Sequence, residues 1–230
     1  FYEKSILDLL RSKFPEKMRN TIFLDIGANI GNHSLYFSDF FDKIFCFEPQ
    51  IKTFKILKLN TTSLKNIKLF NYGLAPEEKE VIFNIPYSNS GMASMLQKSI
   101  STYKELVKLR PFPAGIEGDI GYIKIDVEGD ELNVLKTIKH KIKLNLPIIS
   151  FEVNKNNFNR ADLLLFFKNL GYYDFYIPNW SKNQKNKFIS TFYSICNEDF
   201  IKVPENFLVD DSYDFTLVTT FNKSSNFRFK

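Results

Sequence analysis

Cysteine and tryptophan are scarce in this chain of 230 residues, which has two cysteines and one tryptophan. Cys46 and Cys196 lie far apart and form no CxxC pair, which excludes a disulfide-rich framework and a cysteine-based zinc site. No apolar run approaches the roughly 18 residues that a membrane span requires, and no signal peptide is visible. From these absences we expect a cytoplasmic protein without a membrane-spanning segment.

Blocks of like charge are also missing, although the net charge is +5 and the isoelectric point is about 9.0. The lysines are spread along the chain, and no run of five or six basic residues forms an arm or a targeting patch. A basic surface of this dispersed kind is common in soluble proteins, so we expect no nucleic-acid partner. The sequence leaves the oligomeric state open.

Short apolar runs alternate with helical patterns along most of the chain. Runs typical of buried parallel strands occupy residues 22–26, 44–48, 67–72, 120–126, 147–153 and 172–177. Apolar residues at helical spacing occupy residues 3–13, 31–41, 51–62, 130–142 and 160–170, and residues 96–109 are also interpreted as a helix. Strand-like segments within 191–221 have no partner that the sequence identifies. The alternation predicts an α/β fold with a mostly parallel sheet covered on both faces.

The first strand runs into a glycine-containing turn at residues 25–31, Asp-Ile-Gly-Ala-Asn-Ile-Gly. Gly27 allows a sharp turn and a close approach to a ligand, and the helix that follows presents free N–H groups. Asn29 distinguishes the turn from the GxGxxG motif of dinucleotide sites, and no P-loop GK[ST] is present. The Asp25 carboxylate would repel a pyrophosphate but suits an ammonium or sulfonium group. The turn therefore favours S-adenosylmethionine over NAD.

Acidic residues follow the other strands of the predicted sheet. Glu48 closes the second strand, where an acid can accept hydrogen bonds from both ribose hydroxyls of a nucleoside. Asp126 and Glu128 end a central strand, and Glu152 ends the next one. Ligands of parallel sheets bind outside the carboxyl ends of the strands, which places these acids at the predicted site. The alternatives are an exposed acid before a proline for Glu48 and structural hydrogen bonding for Asp126.

Together, four segments resemble the FkbM family of methyltransferases in their order and spacing: residues 23–31 (FLDIGANIG), 47–49 (FEP), 123–129 (IKIDVEG) and 151–152 (FE). The resemblance covers about residues 20–155. It implies a Rossmann-like class I methyltransferase fold with a seven-stranded sheet, S-adenosylmethionine as donor, and O-methylation of a sugar, glycan or related small-molecule hydroxyl. We expect one methyltransferase domain: residues 1–20 form an N-terminal helical segment, 20–155 the cofactor-binding core, and 156–230 a part that contributes to the acceptor site.

The resemblance also implies roles for individual residues. Cofactor contacts are expected from Asp25, Gly27, Ala28, Asn29 and Gly31 around the methionine part, from Glu48 at the ribose, and from Asn71 and Gly73 near the adenine. Asp126 is expected to act as the general base, to orient the acceptor or to contact the cofactor, with Glu128 and Glu152 nearby. His33 is a further catalytic candidate, and packing of the first helical turn is its alternative role. We expect no resident metal, although Asp126 and Glu152 on strands about 4.8 Å apart could share Mg²⁺.

Three other functions compete with this one. A nucleic-acid methyltransferase would fit the basic charge, but enzymes acting on exocyclic amines often carry [DN]PP[YFW] where this chain has Asp126-Val127-Glu128-Gly129. A noncatalytic nucleoside-binding domain would not need acids at three strand ends. An NAD-dependent oxidoreductase is disfavoured by Asp25 and by the lack of GxGxxG.

Overall fold

The computed structural model of the chain describes residues 3–86, 102–127, 129–154, 160–178, 200–203 and 215–222. Its helices are α1 (Lys4–Lys13), α2 (Asn32–Tyr36), α3 (Ile51–Asn60), α4 (Glu131–Thr137), α5 (Lys139–Asn145) and α6 (Arg160–Asn169). Its strands are β1 (Ile22–Ile26), β2 (Lys43–Phe47), β3 (Ile67–Phe70), β4 (Gly73–Leu74), β5 (Lys79–Pro86), β6 (Thr102–Arg110), β7 (Ile120–Ile125), β8 (Ile148–Asn154), β9 (Tyr172–Pro178), β10 (Phe200–Val203) and β11 (Phe215–Asn222). No helix within these ranges has the length and apolar character to cross a membrane.

The main sheet has the strand order β10-β9-β11-β8-β7-β1-β2-β3. Its five strands from β8 to β3 pair in parallel, whereas β11 runs antiparallel to both β8 and β9, and β10 runs antiparallel to β9. The predicted α/β class is confirmed. Among the described residues the main sheet has eight strands rather than the predicted seven, and β10 is a short strand at its edge. Its four residues, Phe-Ile-Lys-Val, are too short a pattern to reveal a partner strand.

A second sheet has the order β4-β6-β5 and follows β3 in the chain. β5 and β6 pair antiparallel from Lys79↔Leu109 to Pro86↔Thr102. The helix predicted over residues 96–109 is therefore wrong for 102–109. From Tyr103 to Leu109 the side chains alternate between more buried and exposed, which is the period of a strand. Pairing with β5 outweighs the helix preference of the lysines and leucines in this segment.

Helices cover both faces of the main sheet around β1 and β7, which are buried along their whole length. Residues of α1 and the segment after α2 pack an aromatic cluster on one face, with Phe14, Phe23, Phe37, Phe41 and Tyr122. Residues of α4, α5 and α6 pack against the other face. The helix expected over 130–142 is divided between α4 and α5, and α2 spans five residues of the predicted 31–41. This packing fixes the strand ends at which the predicted site residues lie.

Candidate functional site

The turn after β1 lies directly against the end of β7. Gly27 has φ +75°, and a Cβ atom on it would lie 1.8 Å from the carbonyl oxygen of Asp126. The amides of Gly27 and Ala28 donate to the Phe47 carbonyl at 2.9 and 3.0 Å, which joins the turn to the end of β2 as well. Only glycine fits at position 27, because the left-handed backbone and the close contact both exclude a side chain.

The rest of the turn keeps the backbone close to its neighbours. Asn29 and Gly31 have φ values of 52° and 90°, and Ala28 is buried. A Cβ on Gly31 would lie 2.7 Å from Leu57 Cδ1 in α3. The turn is therefore held between α3 and the ends of β2 and β7, as a rigid ligand-binding turn requires.

Glu48 lies at the end of β2 and is only 4% exposed. Its Oε2 accepts a hydrogen bond from the Asn29 amide at 2.9 Å, and its Oε1 accepts one from the Gln50 amide at 2.8 Å. Burial raises its pKa to about 7, against the opposing effect of these two hydrogen bonds. Each carboxylate oxygen has a second lone pair, so Glu48 retains the capacity to accept two further hydrogen bonds.

Asp126 lies at the end of β7, and its side chain is 39% exposed. Its Oδ2 lies 3.2 Å from the ammonium of Lys124, and its carboxyl group also hydrogen-bonds with Glu152. The register Ile125↔Phe151 explains this contact, since the next residues on β7 and β8 are Asp126 and Glu152. Burial raises the pKa of Asp126, but Lys124 and Glu152 outweigh burial and hold the pKa below its ordinary value. The structure brings the predicted Asp126 and Glu152 together.

Asp25 is fully buried beneath the turn. Its Oδ2 accepts a hydrogen bond from Ser34 Oγ at 2.5 Å, and Ser34 Oγ also lies 3.0 Å from Cys46 Sγ. Its Oδ1 lies 3.8 Å from Lys124 Nζ and has no hydrogen-bond partner among the described residues. The ammonium near Asp25 in this structure is therefore supplied by the protein itself, through Lys124.

His33 lies in α2 and is 6% exposed. Its Nε2 lies 3.3 Å from a carboxylate oxygen of Glu3, just before α1, and its Nδ1 has no hydrogen-bond partner in the described part of the chain. His33 also acts electrostatically on Asp126. This arrangement is compatible with both predicted roles, a packed histidine and a group facing the site.

Asn71 and Gly73 follow β3 on the other side of Glu48. The Asn71 amide donates to the carbonyls of Glu48 and Pro49 at 2.9 and 3.2 Å. Gly73 begins β4, where a Cβ would lie 2.7 Å from Leu109 Cδ2. Asn71 also lines a cleft of about 490 Å³, whose walls include Pro49, Phe70 and Tyr72. Asn71 is therefore at the rim of a cavity next to Glu48, whereas Gly73 allows close packing of the second sheet.

Two buried charged residues near the site were not predicted to belong to it. Lys124 interrupts the apolar run of β7 and belongs to the segment 123–129 that carries the family resemblance, and these were its two signals in the sequence. Glu131, in the first turn of α4, is 2% exposed, and its Oε1 accepts a hydrogen bond from the Gly129 amide at 3.0 Å. Burial raises the pKa of Glu131 to about 7. The predicted Glu128 lies outside the described residues, among which no group of three or more His, Cys, Asp or Glu could hold a metal ion.

Comparison with known proteins identifies the family. A family model described as "Methyltransferase FkbM domain" matches residues 25–173, which contain the turn, Glu48, Asp126 and Glu152. The hexuronic acid methyltransferase AglP of Haloferax volcanii is 27% identical over 145 residues, or 62% of this chain and 60% of AglP. The chain thus spans less than two thirds of that curated relative.

Solved structures show the same fold. A methyltransferase FkbM from Methylobacillus flagellatus has a TM-score of 0.54 at 16% identity, covering 88% of this chain and 44% of that protein. An rRNA methylase from Streptococcus thermophilus has a TM-score of 0.50 at 10% identity, covering 93% of this chain and 94% of the methylase. At these identities the likeness establishes the fold alone.

Proposed function

The chain belongs to the FkbM family of methyltransferases, and on this premise we propose that it transfers the methyl group of S-adenosylmethionine to a hydroxyl oxygen of a sugar or glycan. The observation that carries the proposal is the arrangement of Glu48, the Gly27 turn and Asp126 at the ends of three neighbouring strands. One buried acid suits a nucleoside, and a more exposed acid faces the position where an acceptor would bind.

The residues at these strand ends fit the cofactor. Gly27 and Gly31 leave their Cβ positions to neighbouring protein groups, so the turn backbone can lie close to Asp126 and to α3. Glu48 can accept both ribose hydroxyls, and Asn71 and Pro49 line the cleft that we assign to the adenine. His33 Nδ1 and the exposed part of Asp126 are the polar groups that we assign to the methionine and acceptor side.

The chemistry requires positioning and one proton acceptor. The bound sulfonium supplies an electrophilic methyl group. The Asp126 carboxylate orients the hydroxyl and accepts its proton as the carbon–oxygen bond forms and the carbon–sulfur bond breaks. A hydroxyl oxygen becomes strongly acidic as it gains a methyl group, so a carboxylate with a lowered pKa is a sufficient base and stays ionised at neutral pH. Holding the two reactants together supplies much of the remaining acceleration.

Two observations support a sugar as the methyl acceptor: the name of the relative AglP, and the neighbouring acids Asp126 and Glu152. AglP is named a hexuronic acid methyltransferase, which supports a sugar as the acceptor. Asp126 and Glu152 place two carboxyl groups side by side, and these groups can hydrogen-bond to neighbouring hydroxyls, as a sugar ring presents them. We therefore propose a saccharide acceptor that exposes hydroxyl groups at the ends of β7 and β8.

The first test is calorimetric titration with S-adenosylmethionine, S-adenosylhomocysteine and NAD⁺. We expect the first two to bind and NAD⁺ not to bind, and we expect Glu48→Ala to weaken binding at least tenfold, since it removes both ribose acceptors. Binding of NAD⁺ alone would overturn the proposal.

The second test measures transfer of a labelled methyl group to a panel of neutral and uronic acid-containing oligosaccharides. Asp126→Asn should lower the transfer rate by about 10²- to 10⁴-fold, the usual contribution of a general base, and should leave S-adenosylhomocysteine affinity within about threefold. Asp39→Asn, which removes the exposed partner of Arg11, is the control and should keep full activity. Full activity of Asp126→Asn would exclude Asp126 as the base.

A further inference from the structure

Lys124 is the residue before the last one of the buried strand β7, and 4% of its surface is exposed. Its Nζ donates a hydrogen bond to the Gly27 carbonyl at 2.7 Å. It also lies 3.2 Å from Asp126 Oδ2 and 3.8 Å from Asp25 Oδ1. A buried ammonium is tolerated only when charges and hydrogen bonds replace its water, and these three groups do so.

The same contacts join the two halves of the site. The Gly27 turn touches the Asp126 backbone so closely that no Cβ fits between them. Lys124 links the same two residues through other atoms, the carbonyl oxygen of Gly27 and the carboxylate of Asp126. Asp25, the strand partner of Lys124 on β1, adds the second negative charge. A displacement of the Lys124 ammonium would therefore change the contacts of both the Gly27 turn and the Asp126 carboxylate.

We propose that Lys124 is a positioning residue, whose buried ammonium holds the Gly27 turn and the Asp126 carboxylate in one fixed arrangement. This inference rests on the proposed function, in which the Gly27 turn binds the cofactor and Asp126 contacts the acceptor. A methyl donor and an acceptor oxygen must be aligned to within a fraction of an ångström, and a single shared cation can fix both supports.

The charges around Asp126 support this role. The charged or titratable groups near it on the packed elements are Lys124 on β7, Asp25 on β1, Glu152 on β8, His33 on α2, Glu48 after β2 and Glu131 on α4. Most of these are acids. Burial opposes ionisation of Asp126, and Lys124 is the largest of the influences that lower its pKa. Without Lys124, we expect Asp126 to gain a proton more readily.

The test follows the Asp126 carboxyl carbon by ¹³C NMR as the pH is varied, with Asp126→Asn to assign its signal. Lys124→Met should raise the titration midpoint of Asp126 by at least about one pH unit, the effect of a close opposite charge. It should also weaken S-adenosylhomocysteine binding about tenfold, because the Gly27 carbonyl loses a charged donor. A midpoint that does not move would overturn the proposal.

Two variants separate positioning from simple charge neutralisation. Lys141→Met removes another ammonium-to-carbonyl hydrogen bond, from Lys141 to Ile116 at 2.9 Å, and should leave the Asp126 midpoint unchanged. The pair Asp25→Asn with Lys124→Met removes one charge of each sign, which should restore folding if Lys124→Met alone is unstable. The Asp126 midpoint should remain raised in this pair, and a midpoint at the wild-type value would show that Lys124 only neutralises Asp25.

A further measurement needs no change at Lys124. Asp126→Asn should shift the ¹⁵Nζ resonance of Lys124, whereas an unshifted resonance would overturn the link between the two side chains. Both NMR readouts are independent of any methyl acceptor or cofactor. Failure of S-adenosylhomocysteine to bind the wild-type chain would therefore count against the proposed function alone.

Discussion

Glu48 and Asp126 are both carboxylates at the ends of parallel strands, yet their surroundings act on them in opposite directions. Glu48 is buried and accepts hydrogen bonds from two backbone amides, and its pKa is raised to about 7. Asp126 is more exposed and faces the Lys124 ammonium, and its pKa is lowered. At Asp126 the charge and hydrogen bond of Lys124, together with the hydrogen bond to Glu152, outweigh desolvation, whereas at Glu48 the two amide donors and the Lys124 charge do not. The same chemical group can therefore serve as a hydrogen-bond acceptor at one strand end and as an ionised base at the next.

Among these variants, Gly27→Ala is expected to have the largest effect on stability, because it disrupts the contact between the Gly27 turn and Asp126 at the end of β7. The new Cβ would meet the Asp126 carbonyl at 1.8 Å, in a backbone conformation that alanine rarely adopts. We expect the free energy of unfolding to fall by about 4 kcal/mol or more, measured by urea denaturation. Gly115→Ala is the control, since no atom lies within 4 Å of its added Cβ, and it should change stability by less than about 0.5 kcal/mol. Equal midpoints for the two variants would contradict the contact between turn and strand.

The pH dependence of stability should distinguish the two acids by sign. Folded Glu48 binds a proton that the unfolded chain releases between its ordinary pKa of 4.5 and about 7, so its contribution destabilises the fold as the pH rises through this window. Relative to wild type, Glu48→Gln should gain about 3 kcal/mol between pH 4.5 and 8. Asp126 acts in the opposite sense, because its stabilisation is present above its ordinary pKa of 3.8 and is lost as the pH falls through its lower folded pKa.

Urea denaturation from pH 3 to 8 measures both effects. The difference between wild type and Glu48→Gln should change above pH 4.5, and the difference between wild type and Asp126→Asn should change below about pH 4. Parallel stability curves for the two variants would show that the two strand ends are electrostatically alike.

Cofactor affinity should change with pH by a smaller amount. Ribose hydroxyls donate hydrogen bonds, so they bind the ionised form of Glu48 in preference to the protonated form. Binding of S-adenosylhomocysteine should therefore strengthen about tenfold from pH 6 to pH 8, with release of a proton, and Glu48→Gln should lose this dependence. Glu131→Gln is a matched control, because Glu131 is also a buried glutamate with a pKa of about 7. If Glu131→Gln abolished the pH dependence of binding instead, the group whose ionisation controls cofactor affinity would be Glu131 in α4.

Parts of this site could be read from the sequence, and parts could not. The strand ending at Ile26 and the acids that follow β2 and β7 could be predicted from short apolar runs with a polar residue at the end, whereas Glu152 lies inside β8, which continues to Asn154. The roles of Lys124 and of the Asp126–Glu152 contact depend on which strands are neighbours and on their register, and neither is local information. The sequence predicts a helix over residues 96–109, whereas residues 102–109 pair with β5 as a strand, and a distant partner of this kind is not local information either.

Asn71→Ala should have the smallest effect on cofactor affinity, and it tests whether the position of Glu48 depends on the neighbouring strand β3. Asn71 donates to the carbonyls of Glu48 and Pro49, and Asn66 at the other end of β3 donates in the same way to Ser38 and Phe41 at 2.8 and 3.1 Å. Both alanine variants should lower the free energy of unfolding by about 1 to 2 kcal/mol. Only Asn71→Ala should weaken S-adenosylhomocysteine binding, by about fivefold, because of the two asparagines only Asn71 contacts the backbone of Glu48. Equal losses of affinity in the two variants would mean that β3 supports the site through overall stability and not through this contact.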